Sequence, residues 1–97
     1  MFGLISKLRA HHGHRDELIA VLLEGSRALP GCLHYAVAKD IHDEHTVWVV
    51  ETWDSAQAHH SALALPGVVE AIEKSRPLLA AIERRIETVP VTSGNCS

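Results

Sequence analysis

The chain has few aromatic residues, few cysteines and no long hydrophobic run. Two Trp, one Tyr and one Phe make up 4% of its 97 residues. Its two cysteines, Cys32 and Cys96, are too few for a disulfide framework. No stretch approaches the roughly 20 apolar residues that a membrane-spanning helix needs, and the apolar start is too short for a signal peptide. We therefore expect a soluble cytoplasmic protein with no membrane partner.

A strong charge of one sign is also absent. The formal net charge is −3 with histidine neutral, and the nine Lys and Arg residues are scattered along the chain. No nucleic-acid partner is expected, because binding to phosphates requires a concentrated basic surface. The hydrophobic fraction of 46% and the charged fraction of 22% are typical of a globular domain. We expect one domain over residues 1–91 and a disordered tail over residues 92–97.

Hydrophobic periodicity predicts the element order β-α-β-β-α-β. A helical pattern covers residues 15–29 and ends at Pro30-Gly31. Alternation with period two predicts four strands, at residues 2–9, 32–39, 46–53 and 82–88. This order is that of the ferredoxin-like α+β fold, in which an antiparallel sheet carries helices on one face.

The chain between the third and fourth strands is predicted to be helical in two pieces. Asp54 and Ser55 supply an N-cap, and the helix that they open is predicted to run to about Leu65. Pro66 suits the start of a second helix, which ends at Ser75, because that position needs no N–H donor. Two short helices in place of one long helix indicate a cavity beneath them.

The predicted sheet is apolar on both faces. In the third strand, Val47 lies on one face and Trp48 on the other. In the last strand, strict alternation places Ile82 and Ile86 together, on the face opposite Arg85. The helices of this fold cover only one face, so we expect the sheet of a second copy to cover the other, in a homodimer.

Three stretches of the chain carry a family resemblance. They are Pro30-Gly31-Cys32-Leu33-His34-Tyr35, Glu51-Thr52-Trp53-Asp54-Ser55-x-x-Ala58-His59 and Leu63-Ala64-Leu65-Pro66. These stretches resemble the antibiotic biosynthesis monooxygenase domain family, which includes quinol monooxygenases and belongs to the dimeric α+β barrel superfamily. The resemblance implies a dimeric α+β barrel of two ferredoxin-like protomers, with a pocket between sheet and helices in each. It also implies oxidation of phenolic polyketides or hydroquinones with O2, without flavin, haem or metal.

Four residues around the end of the third strand are candidates for the site. Trp53 is a candidate to stack on an aromatic substrate and to donate its indole N–H, or else packs the core. His59, in the next helix, is the candidate catalytic base because histidine has an ordinary pKa near neutral pH; otherwise it is a surface or dimer-rim residue. Tyr35 is a candidate to line the pocket. Glu51 is a candidate substrate-binding residue that orients His59, or else forms a structural salt bridge.

Arg76, at the end of the last predicted helix, is the candidate for binding an anionic substrate oxygen, because its guanidinium is permanently charged. Alternatively, Arg76 is an ordinary surface residue with no contact to a substrate. His60 is expected to face solvent, since it points roughly 100° away from His59 around the helix.

The histidines near the first turn, His11, His12 and His14, have the composition of a metal site. Neighbouring histidines on a turn rarely converge on one point, so we expect no metal there. No cofactor is expected elsewhere.

The resulting hypothesis is a cofactor-independent monooxygenase that oxidises a small electron-rich aromatic molecule, a hydroquinone or a polyketide phenol. Two alternatives stay open at this point. One is a non-catalytic small-molecule-binding or stress-response protein of the same fold, and the other is an isomerase or lactone-forming enzyme that uses the same base without oxygen.

Overall fold

The computed structural model describes residues 1–91 and contains a four-stranded antiparallel sheet with helices on one face. The strands are β1 (Phe2–Ala10), β2 (Cys32–Lys39), β3 (Thr46–Trp53) and β4 (Leu79–Thr88), in the sheet order β2-β3-β1-β4. The helices are α1 (Arg15–Gly25), α2 (Ala56–Ala62) and α3 (Pro66–Ser75). The predicted ferredoxin-like α+β fold is confirmed. The tail predicted over residues 92–97 lies outside the described residues.

The core lies between α1 and the sheet. Leu18 of α1 is completely buried, and it belongs to one cluster with Leu8 of β1 and with Val47 and Val49 of β3. The strand residues alternate along the chain, so they share the face of the sheet that the helices cover. Burying one such side chain contributes about 1.5–3 kcal/mol to folding. Among residues 1–91, no helix is both long enough and apolar enough to cross a membrane.

The other face of the sheet carries no helix and is apolar in its middle. Cross-strand pairing there places four residues in one row across all four strands: Ala36, Val50, Ile5 and Ile86. Val50 and Ile86 are 40% and 38% exposed. Trp48 lies on this face as predicted, and the ammonium group of Lys7 is 5.7 Å from the centre of its ring. A continuous apolar strip is therefore open to solvent in the isolated chain.

The helical region after β3 is in two pieces, as predicted. The hydroxyl oxygen of Ser55 accepts a hydrogen bond from the backbone N–H of Ala58 at 3.0 Å and thereby caps α2. Helix α2 ends at Ala62, earlier than the predicted Leu65, and a turn joins it to α3. Pro66 occupies the first turn of α3, as predicted.

Helix α1 also ends earlier than predicted, at Gly25. A Cβ atom at Gly25 would lie 2.6 Å from the Cβ atom of Ala71 in α3. The absence of a side chain at Gly25 therefore lets the two helices approach closely above the sheet.

Strand β4 departs from strict alternation. Its pairing with β1 shifts by one residue at Glu83, which is the extra residue of a β-bulge. Ile82, before the bulge, lies on the helix side of the sheet, whereas Ile86, after the bulge, lies on the open side. The prediction that these two residues share a face is wrong, because the bulge reverses the alternation. The same reversal turns Arg85 toward the helix side.

Candidate active site

A cavity of about 160 Å³ lies between the helices and the helix side of the sheet. Most of its wall is apolar and includes Leu22 of α1 and Val68 and Ile72 of α3. Four of the predicted site residues line it: Tyr35, Glu51, Trp53 and His59. The cavity thus brings together residues from β2, β3 and α2 that are up to 24 positions apart in the sequence.

Glu51 and Trp53 are joined by a hydrogen bond inside this cavity. They are two residues apart on β3, so their side chains point to the same face. The indole Nε1–H of Trp53 donates to Glu51 Oε1 at 3.0 Å. Trp53 is 1% exposed. Without a bound molecule this N–H is bonded to the Glu51 carboxylate, and its donation to a substrate stays a prediction.

His59 lies against the edge of this pair. Its ring centre is 5.2 Å from that of Trp53 with an interplanar angle of 74°, and 5.6 Å from that of Phe2. His59 Nε2 is 4.0 Å from Glu51 Oε1, which is beyond hydrogen-bond distance. Only 11% of the His59 side chain is exposed. The capping residue Ser55 fixes the first turn of α2, and this turn directs His59 back toward the end of β3.

Burial lowers the pKa of His59 below its ordinary value of 6.5. The carboxylates of Glu51 and Glu87 oppose this effect, whereas the positive charges of Arg85 and His60 add to it. The ring is therefore neutral at neutral pH and can accept a proton from a bound molecule. This is the protonation state that a general base needs.

Tyr35 of β2 is the direct cross-strand neighbour of Glu51. Burial is the main cause that raises the pKa of the Tyr35 hydroxyl, and the nearby negative charge of Glu51 raises it further. The hydroxyl therefore stays protonated at neutral pH and can donate a hydrogen bond to an anion. Its position suits a residue that lines the pocket and orients a substrate oxygen.

Arg76 and His60 lie outside the cavity. Arg76 is exposed at the C-terminal cap of α3, and its backbone N–H binds the carbonyl oxygen of Glu73. Its neighbour Ser75 lines the cavity but Arg76 itself does not, and the contact between Arg76 and a substrate stays a prediction. His60 is exposed, in agreement with the direction predicted from the helix geometry.

A different arginine, Arg85, borders a groove that adjoins the cavity. A shallow groove of about 170 Å³ extends from the cavity across β1 toward β4, and it is bordered by Arg85, His59 and Glu51. The sequence pattern does not indicate Arg85, because strict alternation gives no sign of the bulge at Glu83. A permanently charged guanidinium at this opening can bind an anionic oxygen.

The fold and the cavity together define a class of protein. It is a small ferredoxin-like α+β protein with a mostly apolar site, in which a neutral histidine, a phenol and a carboxylate meet. Such a site can bind a small apolar molecule that carries an ionisable group.

The comparisons with known proteins then specify the family. The family model for "Antibiotic biosynthesis monooxygenase" matches residues 1–74. The chain belongs to the antibiotic biosynthesis monooxygenase family and is monooxygenase-like. Among proteins of curated function, none matches the chain.

Several solved structures have the same fold. A protein from Chloroflexus aurantiacus J-10-fl, assigned as an antibiotic biosynthesis monooxygenase, is 49% identical, with a TM-score of 0.95 over 97% of this chain and 96% of that one. A protein from Deinococcus radiodurans with the same assignment is 28% identical, with a TM-score of 0.80 over 100% of this chain and 99% of that one. SnoaB, a cofactor-independent oxygenase from Streptomyces nogalater, is 16% identical, with a TM-score of 0.79 over 95% of this chain and 94% of that one. At this low identity, the likeness to SnoaB shows the fold alone.

Proposed function

We propose that the protein is a cofactor-independent monooxygenase that oxidises a small electron-rich aromatic molecule, a hydroquinone or a polyketide phenol, with O2. The observation that carries this proposal is the buried His59, which is neutral at neutral pH and faces an apolar cavity beside Trp53. A phenol becomes reactive toward O2 when it is ionised, and we propose that His59 accepts its proton. The family membership of the chain supports the same reaction class.

The size of the cavity favours a molecule with one aromatic ring. A closed apolar cavity of about 150 Å³ accommodates a benzene molecule, and the cavity here has about 160 Å³. The groove toward Arg85 adds room for polar substituents of the ring. We therefore propose single-ring hydroquinones ahead of polycyclic phenols as substrates.

The proposed reaction begins with transfer of the phenol proton to His59. The ionised ring then gives electrons to O2, one at a time, and a bond forms between a ring carbon and one oxygen atom. The protonated His59 returns its proton to the resulting peroxide. Loss of water breaks the O–O bond, with one hydrogen coming from the peroxide and one from the ring carbon. The ring loses four electrons in total, one oxygen atom stays on the ring as a carbonyl, and the other leaves as water.

Four other residues are proposed to bind the substrate or to support the base. We propose that Arg85 and the Tyr35 hydroxyl bind the ionised phenol oxygen, and that Trp53 forms the aromatic wall of the site. The Trp53–Glu51 hydrogen bond holds the carboxylate beside His59, where its negative charge stabilises the protonated base after proton transfer.

We also propose a homodimer, in which the open face of the sheet packs against the same face of a second copy. The apolar row that contains Val50 and Ile86 supports this arrangement, because it crosses all four strands and is exposed in one chain. The self-complementary contact of a twofold dimer would bury the row in both copies.

Oxygen uptake by the purified protein tests the proposed function. A panel of single-ring hydroquinones and polycyclic phenols is supplied with isotopically labelled O2, and mass spectrometry follows the label. We expect uptake above the uncatalysed background and one labelled oxygen atom in the product, both lost in His59→Ala.

Three other results would contradict the proposal. Hydrogen peroxide without label in the product would indicate an oxidase. Binding of the compounds with no oxygen uptake would indicate the non-catalytic alternative. Rearrangement of a substrate without O2 would indicate isomerase or lactone chemistry.

A further inference from the structure

A second cluster of ionisable side chains lies at the opposite end of β3 from the cavity. It joins the turn between β1 and α1 to the loop between β2 and β3. The backbone N–H of Ala10 donates to the carbonyl oxygen of His45 at 2.8 Å, and Arg15 donates to the carbonyl oxygen of Asp43 at 3.0 Å. These bonds hold the turn and the loop side by side, independently of any ion.

Three side chains converge where the turn meets the loop. His12 comes from the turn, and Glu44 and His45 come from the loop. One nitrogen or oxygen atom from each of the three lies within 4.8 Å of the other two. His12 Nδ1 and His45 Nε2 are 3.1 Å apart. His45 Nε2 is 3.8 Å from Glu44 Oε1.

This spacing is close to that of ligands around a metal ion. Imidazole nitrogens bind zinc at about 2.0–2.1 Å in tetrahedral geometry, which separates two of them by about 3.3 Å. The two ring nitrogens of His12 and His45 need only a small adjustment from 3.1 Å to reach that separation. Without an ion, only one of the two nitrogens can carry the proton that joins them.

A carboxylate also lies behind the ring of His45, at a distance longer than a hydrogen bond. Its Nδ1 atom, on the far side from His12, is 3.6 Å from Asp43 Oδ1. A ligating histidine commonly directs its second nitrogen to a carboxylate, which fixes the ring and makes the ligating nitrogen more basic. Asp43 is held in turn, since its Oδ1 accepts the backbone N–H of His45 at 2.8 Å.

Two nearby cationic side chains are held by protein oxygens. Arg15 binds the carbonyl oxygen of Asp43, and Lys39 lies 3.0 Å from the carboxylate of Asp16. Both side chains border the same hollow as His12 and His45. Their bonds direct them to protein oxygens, and the carboxylate of Glu44 lies within 4.8 Å of the ligating atoms of both imidazoles.

We propose that His12, Glu44 and His45 form a binding site for one divalent transition-metal ion of the zinc type, with water completing the coordination. Two imidazoles and one carboxylate suit such ions, whereas Mg²⁺ prefers oxygen ligands and retains its own water. The site is separate from the proposed reaction. His45 and Glu51 are six residues apart along one extended strand, which places them about 20 Å apart. The ion would tie the two loops together and stabilise the fold.

Zinc titration of the tag-free full-length chain, followed by calorimetry, tests the site. We expect one ion per chain with a dissociation constant in the micromolar range, a higher melting temperature with zinc, and no binding heat with Mg²⁺. His12→Ala and His45→Ala should each weaken zinc binding by about tenfold or more. Ring resonances of His12 and His45 should shift on zinc addition in NMR spectra.

Matched controls are available on the same two segments. His11→Ala changes a histidine on the same turn, and His42→Ala changes one in the same loop, and neither side chain belongs to the cluster. Both variants should bind zinc like the unchanged chain. The proposal is overturned if the unchanged chain shows no saturable zinc binding, or if the controls weaken binding as much as the ligand variants do.

Discussion

The indole N–H of Trp53 donates to the carboxylate of Glu51 at 3.0 Å, and this bond links the two residues on one face of β3. It satisfies a buried donor and holds a negative charge at a fixed place in an otherwise apolar cavity. Trp53 therefore contributes to the site in two ways: its ring forms part of the cavity wall, and its N–H holds the Glu51 carboxylate.

The first prediction concerns the base. His59→Ala should reduce the rate of phenol oxidation by about 10²–10⁴-fold, because the proton acceptor is lost. In the unchanged protein, activity should rise with pH, because the general base works in its neutral form. The midpoint of this rise should lie below pH 6.5, since burial holds the pKa of His59 below that value. The adjacent His60→Ala is the control and should keep its activity. Equal losses in both variants would indicate damaged packing of α2 rather than a lost base.

The second prediction concerns the carboxylate. Glu51→Gln removes a negative charge that favours the protonated form of His59, so the pKa of His59 should fall further. The acidic limb of the pH profile should then move to lower pH. An NMR titration of the His59 ring measures the same change without a substrate. An unchanged titration would show that Glu51 does not act on the base.

The third prediction is a shift of the His59 pKa in the opposite direction, to a higher value. Arg85→Gln removes a positive charge that disfavours protonation, so the pKa of His59 should rise and the acidic limb should move to higher pH. If Arg85 also binds the ionised substrate oxygen, KM should increase by about tenfold. Arg76→Gln, on the exposed end of α3, is the matched control and should change neither quantity. A larger effect at Arg76 than at Arg85 would reverse this assignment.

The fourth prediction concerns the close contact between Gly31 and helix α2. Gly31 has a φ angle of +79°, and a Cβ atom there would lie 2.7 Å from the Cβ atom of Ala58. Gly31→Ala should therefore cost about 1–2 kcal/mol for the backbone and about 1–3 kcal/mol more for the clash. Gly13 has the same φ angle of +79° with no atom within 4 Å of the added Cβ, so Gly13→Ala should cost only the first amount. Urea unfolding measures both, and equal losses would contradict the role given to the contact with Ala58.

The fifth prediction concerns assembly. The unchanged protein should sediment as a dimer at micromolar concentration. Val50→Asp should dissociate it, because an unpaired charge buried in the contact costs about 3 kcal/mol, or about a hundredfold in the dissociation constant. Ile41→Asp is the control, since Ile41 is 88% exposed in the loop after β2. Sedimentation of the unchanged protein as a monomer would contradict the proposed dimer.

The order of the elements was predictable because each strand and helix carries its own local signal. The alternation of β3, the cap at Ser55 and the position of Pro66 all act within a few residues, and the structure has each where the sequence predicts it. The bulge at Glu83 was not predictable in this way. It depends on how β4 pairs with β1, which lies at the other end of the chain.

The same distinction applies to the two sites. Trp53 and His59 meet because one short connection, capped by Ser55, joins the end of β3 to α2. Their proximity follows from local geometry, whereas the approach of Arg85 requires the bulge. In the sequence, the histidines nearest to His12 are His11 and His14, which lie on the same turn. The proposed partners of His12 come from the loop before β3, which only the folded sheet brings close.

The bulge at Glu83 makes the groove insensitive to the loss of this one residue. Deleting Glu83 would give strict alternation from Ile82 onward and would keep the present cross-strand pairs, Ile82 with Leu8 and Arg84 with Lys7. Arg85 would stay on the helix side and Ile86 on the open side. The fold would tolerate such a deletion, because β4 is an edge strand that pairs with β1.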